Sequence, residues 1–295
     1  MSLSRLDVLR PLREDDAEAV AELFAAAFGD ARALDAEEIR TWFRNPELDA
    51  GHLRVLERDG RVIGYGDIWI QGQELALDAA APGCWEPFLD WAESAGREAN
   101  VRDVRVGLPA GHELEALVRE RGYRLGRSSF TMEVELTEPA DPHEPAAGIE
   151  LRSYRPADLT DVRTAINEAF AHDWHHHDVS ESNFREFYVN ARGADPMLWT
   201  LAWDGPELAG FVLAYSEHAG DTTLGWIGTL GVRPAWRRRG LGRLLLLAAF
   251  AGLGERGLRR VGLGVDTENE FGALRLYERA GMRPVQRFDN WVVTL

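Results

Sequence analysis

An internal repeat constrains this chain more than any other feature. Leu9-Arg10, Arg13, Asp16, Val20, Ala27 and Phe28 recur as Leu151-Arg152, Arg155, Asp158, Val162, Ala169 and Phe170, all at an offset of 142. Further on, Leu117, Gly122, Arg124, Val134 and Leu136 recur as Leu276, Gly281, Arg283, Val293 and Leu295, all at an offset of 159. The second half therefore carries about 17 extra residues between two matched blocks, and a tandem duplication is expected. A chain of 295 residues also suits two domains at roughly 100–200 residues each. The border is expected in residues 137–148, where Pro139, Pro142 and Pro145 stand without apolar periodicity. The expected division is a first domain over 1–140, a linker over 141–148 and a second domain over 149–295.

Each half opens with a short strand and an amphipathic helix. In the second half the strand covers 149–154, and the helix 158–170 carries Leu159, Val162, Ile166, Ala169 and Phe170 at helical spacing. A second helix is expected near 181–192. Strands follow over 197–203, 207–216 and 223–232, the first pair turning at Asp204-Gly205. Residues 241–256 read as a helix, 261–265 as a strand and 271–280 as a helix stopped by Gly281. Strands around 283–288 and 290–295 end the chain. This order predicts an α/β (α+β) fold: in each half a mixed, largely antiparallel sheet flanked by helices.

Composition excludes several chemistries. The net charge is -16, which opposes general nucleic-acid binding. Residues 1–147 hold 16 Arg against 30 Asp and Glu, a charge of -14, leaving -2 for residues 148–295. An anionic ligand is therefore easier to accommodate in the second half. All 33 basic residues are arginine, so Schiff-base and P-loop lysine chemistry is impossible. Cys84 is the one cysteine, which rules out an intrachain disulfide or a Cys-rich zinc site. The longest apolar run, residues 244–253, is half the length of about 20 that a membrane-spanning helix needs. Residues 1–7 lack the apolar core of a signal peptide, so a cytoplasmic location is expected.

The chemistry concentrates in Val232-Arg233-Pro234-Ala235-Trp236-Arg237-Arg238-Arg239-Gly240-Leu241-Gly242, which follows a strand and opens a helix. Backbone N–H groups at a helix start point one way, and the helix dipole adds roughly half a positive charge there. Gly240 and Gly242 let an anion approach the main chain, while Arg237, Arg238, Arg239 and Arg243 supply charge. A pyrophosphate site is expected. Taken alone, Tyr277 reads as a packing residue and Asn269 as a helix cap.

The segment is neither a dinucleotide-binding fingerprint nor a P-loop. Arg237-x-x-Gly240-x-Gly242 instead resembles the signature of the GNAT superfamily of acetyl-CoA-dependent N-acyltransferases. The likeness extends to Asn269 and to the run Ala273-Leu274-Arg275-Leu276-Tyr277-Glu278-Arg279-Ala280-Gly281-Met282. Strand order fits from Ile149 to Leu295, and the whole chain resembles tandem-GNAT proteins of the mycothiol synthase-like type with an active C-terminal domain. The resemblance implies acetyl transfer from acetyl-CoA to an amine by direct attack. It places the diphosphate on Arg237, Arg238, Arg239, Gly240, Leu241, Gly242 and Arg243, and the pantetheine beside Leu230, Gly231 and Val232. Asn269 would contact the co-substrate, and a backbone N–H near Leu230 would hold the oxyanion. Tyr277 would protonate the leaving thiolate.

Many GNAT enzymes place a carboxylate on the strand before the signature, yet Trp226-Ile227-Gly228-Thr229-Leu230-Gly231 has none. The base is left open among Glu217, Asp266, a histidine of His172, His175, His176 and His177, or ordered water. His172 and His176 have i,i+4 spacing, but no H-E-x-x-H pattern follows, so no metal is expected. The histidines line the acceptor pocket or serve structure. In the first half Ala110 and Val118 stand where Asn269 and Tyr277 stand in the second. Asp78 occupies the region of the missing arginine–glycine loop, so that half is expected to keep the fold without catalysis. The acceptor is expected to be a small amine-bearing, cationic molecule, drawn by the acidic first half. An acyl-CoA-binding sensor or scaffold without turnover is the alternative. A third reading, docking of an anionic partner on the arginine run, requires steep salt dependence.

Overall fold

A computed structural model describes residues 7–28, 34–43, 49–137, 148–172, 178–269 and 272–295. The chain forms two compact units, one of Met1–Ser128 with Arg287–Leu295 and the other of Ser129–Gln286. The first unit runs β1 (Val8–Pro11), α1 (Ala17–Phe28), α2 (Ala36–Trp42), β2 (Leu53–Arg58), β3 (Arg61–Gln71), β4 (Glu74–Ala80), α3 (Glu86–Glu98), β5 (Asp103–Pro109) and α4 (Leu114–Glu120). After β6 (Arg124–Glu135), the second runs β7 (Ile149–Ser153), α5 (Leu159–Phe170), α6 (Glu181–Phe184), β8 (Thr200–Asp204), β9 (Glu207–Tyr215), β10 (Leu224–Val232), α7 (Leu241–Glu255), β11 (Arg260–Asp266) and α8 (Ala273–Arg279). β12 (Arg283–Thr294) closes the chain.

The repeat survives as repeated contacts. Arg10 donates two bonds to Asp16, at 2.7 and 2.8 Å, and Arg152 donates two to Asp158, both at 2.7 Å. Each aspartate also accepts a backbone N–H, from Arg13 at 2.8 Å and from Arg155 at 2.7 Å. The carboxylate thus satisfies donors at a helix start while a bidentate arginine balances its charge. That arginine holds Asp16 and Asp158 below the usual carboxylate range. In the second block, Gly122 and Gly281 have φ of 86° and 92° and stop α4 and α8. The N–H of Tyr123 reaches Val118 O at 2.9 Å, and that of Met282 reaches Tyr277 O at 3.1 Å. Both are the same left-handed helix stop.

Within the first unit β1, β2, β3 and β4 pair antiparallel, and β4 lies parallel to β5. In the second, β7, β8, β9 and β10 pair antiparallel, and β10 lies parallel to β11. The final strand of each half goes to the other unit. Phe288–Thr294 of β12 pairs antiparallel with β5, while residues 129–135 of β6 pair antiparallel with β11. The borders therefore fall at 128/129 and 286/287, not in the proline-rich stretch around 141–148. The two strands also trade core residues: Trp291 is 2% exposed in the first core, and Met132 is 0% exposed in the second. Met132 and Trp291 are themselves 159 residues apart, so each fills the place of the other's repeat.

Three elements depart from expectation. The strand expected from 197 begins at Thr200, because Asp195 accepts Met197 N at 2.9 Å and, with Pro196, winds a short turn over Pro196–Leu198. The helix expected to 192 is α6 followed by a wider turn, Arg185–Val189, in which Asn190 N reaches Arg185 O at 2.8 Å. The two expected final strands are one continuous β12. Among the described residues no helix is long and apolar enough to cross a membrane.

Candidate active site

β10 and β11 part company half-way along. Their parallel register runs from Leu224↔Arg260 to Ile227↔Leu263 and stops. Beyond that point β10 follows β9 to Val232↔Gly210, with a register shift between Ile227 and Thr229. β11 instead follows β6 to Asp266↔Ser129. From Thr229 to Val232, β10 thus has an edge without a strand partner. Unpaired main-chain donors and acceptors along such an edge can take an extended ligand as a further strand. Leu230, Gly231 and Val232, the residues expected beside the pantetheine, line this opening.

At its end the chain turns into α7. Gly240, at φ 81°, caps the helix, and no acidic residue lies in the first turn. No side chain caps those N–H groups either, so the dipole there is uncompensated by protein. Gly242 serves packing: a Cβ there would lie 3.3 Å from Leu276 Cδ2 of α8. That close approach brings α8 against the start of α7.

The arginines divide into different roles. Arg237 donates to Val232 O at 3.1 Å and to Ala169 O at 2.6 Å, fastening the loop to the end of α5. Arg233 does likewise with Glu168 at 2.6 Å and Leu208 O at 2.9 Å. Arg239 faces Asp204 at 3.4 Å, which also accepts Trp236 Nε1 at 2.9 Å. Arg238 is exposed, has no ion-pair partner among the described residues and sits at φ 63°. A branched-free but substituted residue pays about 1–2 kcal/mol for that backbone, a cost that the turn before Gly240 imposes. Arg243 and Leu241 occupy the first turn of α7, Arg243 exposed and Leu241 buried.

Asn269 accepts Ala273 N at 3.3 Å, so its side chain caps α8. Tyr277 is the buried residue of that helix, 7% exposed, and its hydroxyl has no hydrogen-bond partner among the described residues. Burial pushes its pKa up to about 12, so the phenol keeps its proton throughout the neutral range.

Comparisons with known proteins show the family. The family model described as the acetyltransferase (GNAT) family matches residues 159–282. A mycothiol acetyltransferase of Nocardia farcinica is 31% identical over 92% of this chain and 91% of its own. This chain belongs to the GNAT family. It is an acetyltransferase of the tandem-GNAT kind. A crystal structure of a GCN5-related N-acetyltransferase from Sphaerobacter thermophilus superposes with a TM-score of 0.76 at 27% identity, covering 98% of this chain and 95% of the other. A tandem GNAT protein from the clavulanic acid biosynthesis pathway shares the fold, with a TM-score of 0.72 at 16% identity and 98% of both chains covered.

The base candidates of this GNAT chain are differently placed. Glu217 is ion-paired with Arg192 and backed by Gly193. Asp266 accepts Glu268 N at 2.7 Å, which holds the turn after β11. His172 is exposed just after α5, whereas His175, His176 and His177 lie outside the described residues. Sequence reasoning missed an aromatic and hydroxyl cluster beside the opening. The Tyr188 ring stacks on Phe184 at 5.1 Å. Tyr215 covers Gly228, where a Cβ would lie 2.5 Å from its Cε2. The wide turn over Arg185–Val189 was the available signal only in three dimensions.

The GNAT fold of the first unit shows the contrast. Its β4–β5 register likewise ends early, at Leu77↔Val106. Yet α3 opens on Glu86, which puts a carboxylate in its first turn, and Val118, fully buried, stands in the place of Tyr277.

Proposed function

We propose that the Ser129–Gln286 unit moves acetyl from acetyl-CoA to an amine of a small molecule by direct attack, with Tyr277 as general acid. One observation carries this reading: the unpaired edge of β10 leads straight to a helix start that has neither a side-chain cap nor an acidic residue. A diphosphate fits the N–H groups of Leu241, Gly242 and Arg243 with Arg238 alongside, and Arg237 shapes the loop from behind. The co-substrate supplies the activated acyl group. Tyr277, neutral and without a competing partner, is available to give its proton to a departing thiolate. Asn269 keeps α8, and so Tyr277, in place.

β10 carries no ionisable side chain. The amine's proton therefore leaves through a group beyond that strand, among Glu217, Asp266, a histidine of 172–177 or water. The relatives named mycothiol acetyltransferases favour a mycothiol-type acceptor amine. The first unit, with Glu86 and Val118 at the corresponding places, is assigned a non-catalytic role. A second reading, an acyl-CoA-binding sensor without turnover, draws on the same lack of an ionisable group on β10. Release of free thiol from acetyl-CoA, measured with and without an amine panel, separates the two. Amine-dependent release supports the transferase, and tight binding with no release under any acceptor supports the sensor.

A further inference from the structure

A glycine inside a strand weakens it, so each one in a sheet needs a reason, in the fold or in a ligand. The strands of the second unit carry Gly210, Gly225, Gly228, Gly231, Gly262 and Gly264. A Cβ at any of the first five would lie under 3.0 Å from another atom, as at Gly262, where it would meet Trp226 Cζ3 at 2.8 Å. Packing therefore demands those five. Gly264 is different. Its φ is not positive, and beyond its chain neighbours a Cβ there would meet nothing within 4 Å among the described residues. Neither backbone conformation nor packing excludes a side chain.

The open position stands at the mouth of the fork. Gly264 is the first residue of β11 beyond the last pair with β10, Ile227↔Leu263, and it is exposed. Side chains alternate along a strand, so Gly264 shares a face with Gly262 and Asp266, while Val261, Leu263 and Val265 are buried on the other. It is the face turned away from α7, since Gly225, the neighbour of Trp226, points at Leu253 of that helix. Trp226 lies over Gly262 and carries His218 stacked on its ring at 3.6 Å, which closes that face on one side of Gly264. On β6, Thr131 is the partner of Gly264, and Ser129 is the partner of Asp266. Beside the fork the sheet thus presents bare backbone at Gly264, flanked by a threonine and a carboxylate.

We propose that Gly264 sets the size of the acceptor: its missing side chain leaves room for substituents on the carbon that bears the amine, as that amine reaches the acyl group held along Leu230–Val232. This rests on the acetyl-transfer reading above. The class admitted is primary amines on a branched or ring carbon, and a side chain at this position restricts the unit to unbranched ones. Thr131 offers a hydroxyl to a polar substituent on that side. Gly264 touches no reacting group and determines specificity through space alone.

The test uses the full chain, acetyl-CoA and three probe amines, ethanolamine, cyclohexylamine and glucosamine, with thiol release as the readout. Gly264→Val should lower kcat/KM for cyclohexylamine and glucosamine by about 10-fold or more, the scale set by misfitted methyl groups in a pocket, and leave ethanolamine within about 2-fold. Gly264→Ala should fall between parent and valine. Acetyl-CoA affinity, read by calorimetry, should be unchanged in both. The Tm of Gly264→Ala should equal or exceed the parent's, whereas Gly262→Ala, pressed against Trp226, should lower it. An equal loss for all three amines in Gly264→Val, or no loss for any, overturns the proposal. A lower Tm in Gly264→Ala does the same, because it marks a structural glycine. A parent that acetylates ethanolamine alone overturns the inference and leaves the transferase reading standing. A parent that binds acetyl-CoA but turns over none of the three amines overturns that reading itself, and the inference with it.

Discussion

Replacing Tyr277 by phenylalanine should lower turnover while leaving stability at neutral pH nearly unchanged. The ring is 7% exposed, and the hydroxyl has no hydrogen-bond partner among the described residues. The substitution removes no hydrogen bond among the described residues, so Tyr277→Phe should leave the unfolding free energy within about 1 kcal/mol of the parent. Turnover should nevertheless fall about 10²–10⁴-fold under conditions where chemistry limits the rate, with acetyl-CoA affinity largely kept. Alkaline pH supplies an internal check. The phenol titrates near 10 in the unfolded chain and at about 12 in the folded one. Between those values the folded state binds more protons, so stability falls as pH rises, by about 1.4 kcal/mol per pH unit for this group. The contribution is complete below pH 10 and lost as pH passes through 12. Urea unfolding of parent and variant at pH 9 and pH 11 should therefore show the gap shifting by about 1.4 kcal/mol in favour of the phenylalanine. Parental turnover in the variant would remove Tyr277 from the reaction. A clear loss of stability at pH 7 would show that the hydroxyl has a partner in the fold.

The two central arginines should separate by salt. Arg238→Ala should weaken acetyl-CoA binding and reduce the salt dependence of that binding, because a free charge near the ligand is lost. Arg237→Ala should weaken binding with the salt dependence intact and lower stability by about 1–3 kcal/mol, since it unties Val232 and Ala169; calorimetry at several salt concentrations reads both. Asp158→Asn breaks a bidentate pair and a backbone bond at once, and should cost about 1–3 kcal/mol by urea unfolding. In the parent that carboxyl's stabilising effect is present above its unfolded pKa and lost as pH falls through its lowered folded one. Burial holds His218, stacked at 3.6 Å on Trp226, down at about 4. The unfolded chain binds that proton first, so stability should decline as pH falls from about 6.5 to about 4. His218→Gln should flatten that decline in acid unfolding curves. Gly231→Ala puts a Cβ 2.4 Å from Phe211 Cζ and should destabilise by about 1–3 kcal/mol, readable as a lower Tm.

Much of this protein is written locally. The repeated Arg–Asp pairs, the helix stops at Gly122 and Gly281, and the loop before α7 depend on residues a few positions apart. Spacing alone therefore exposes them, and the GNAT likeness rests on that same local pattern. Tertiary structure decided what depends on partners far along the chain. Because Arg124 and Val134 of β6 repeat as Arg283 and Val293 of β12, either strand suits either sheet by its own residues. Only the surrounding cores settle that Trp291 enters one and Met132 the other. The roles of the arginines were likewise invisible in sequence: Arg237 turns inward onto carbonyls contributed by β10 and α5, and Arg238 is left free by a left-handed backbone. Hydropathy period and motif spacing record what a residue does for its own element, whereas a contact between elements exists only once the sheet has set their distance.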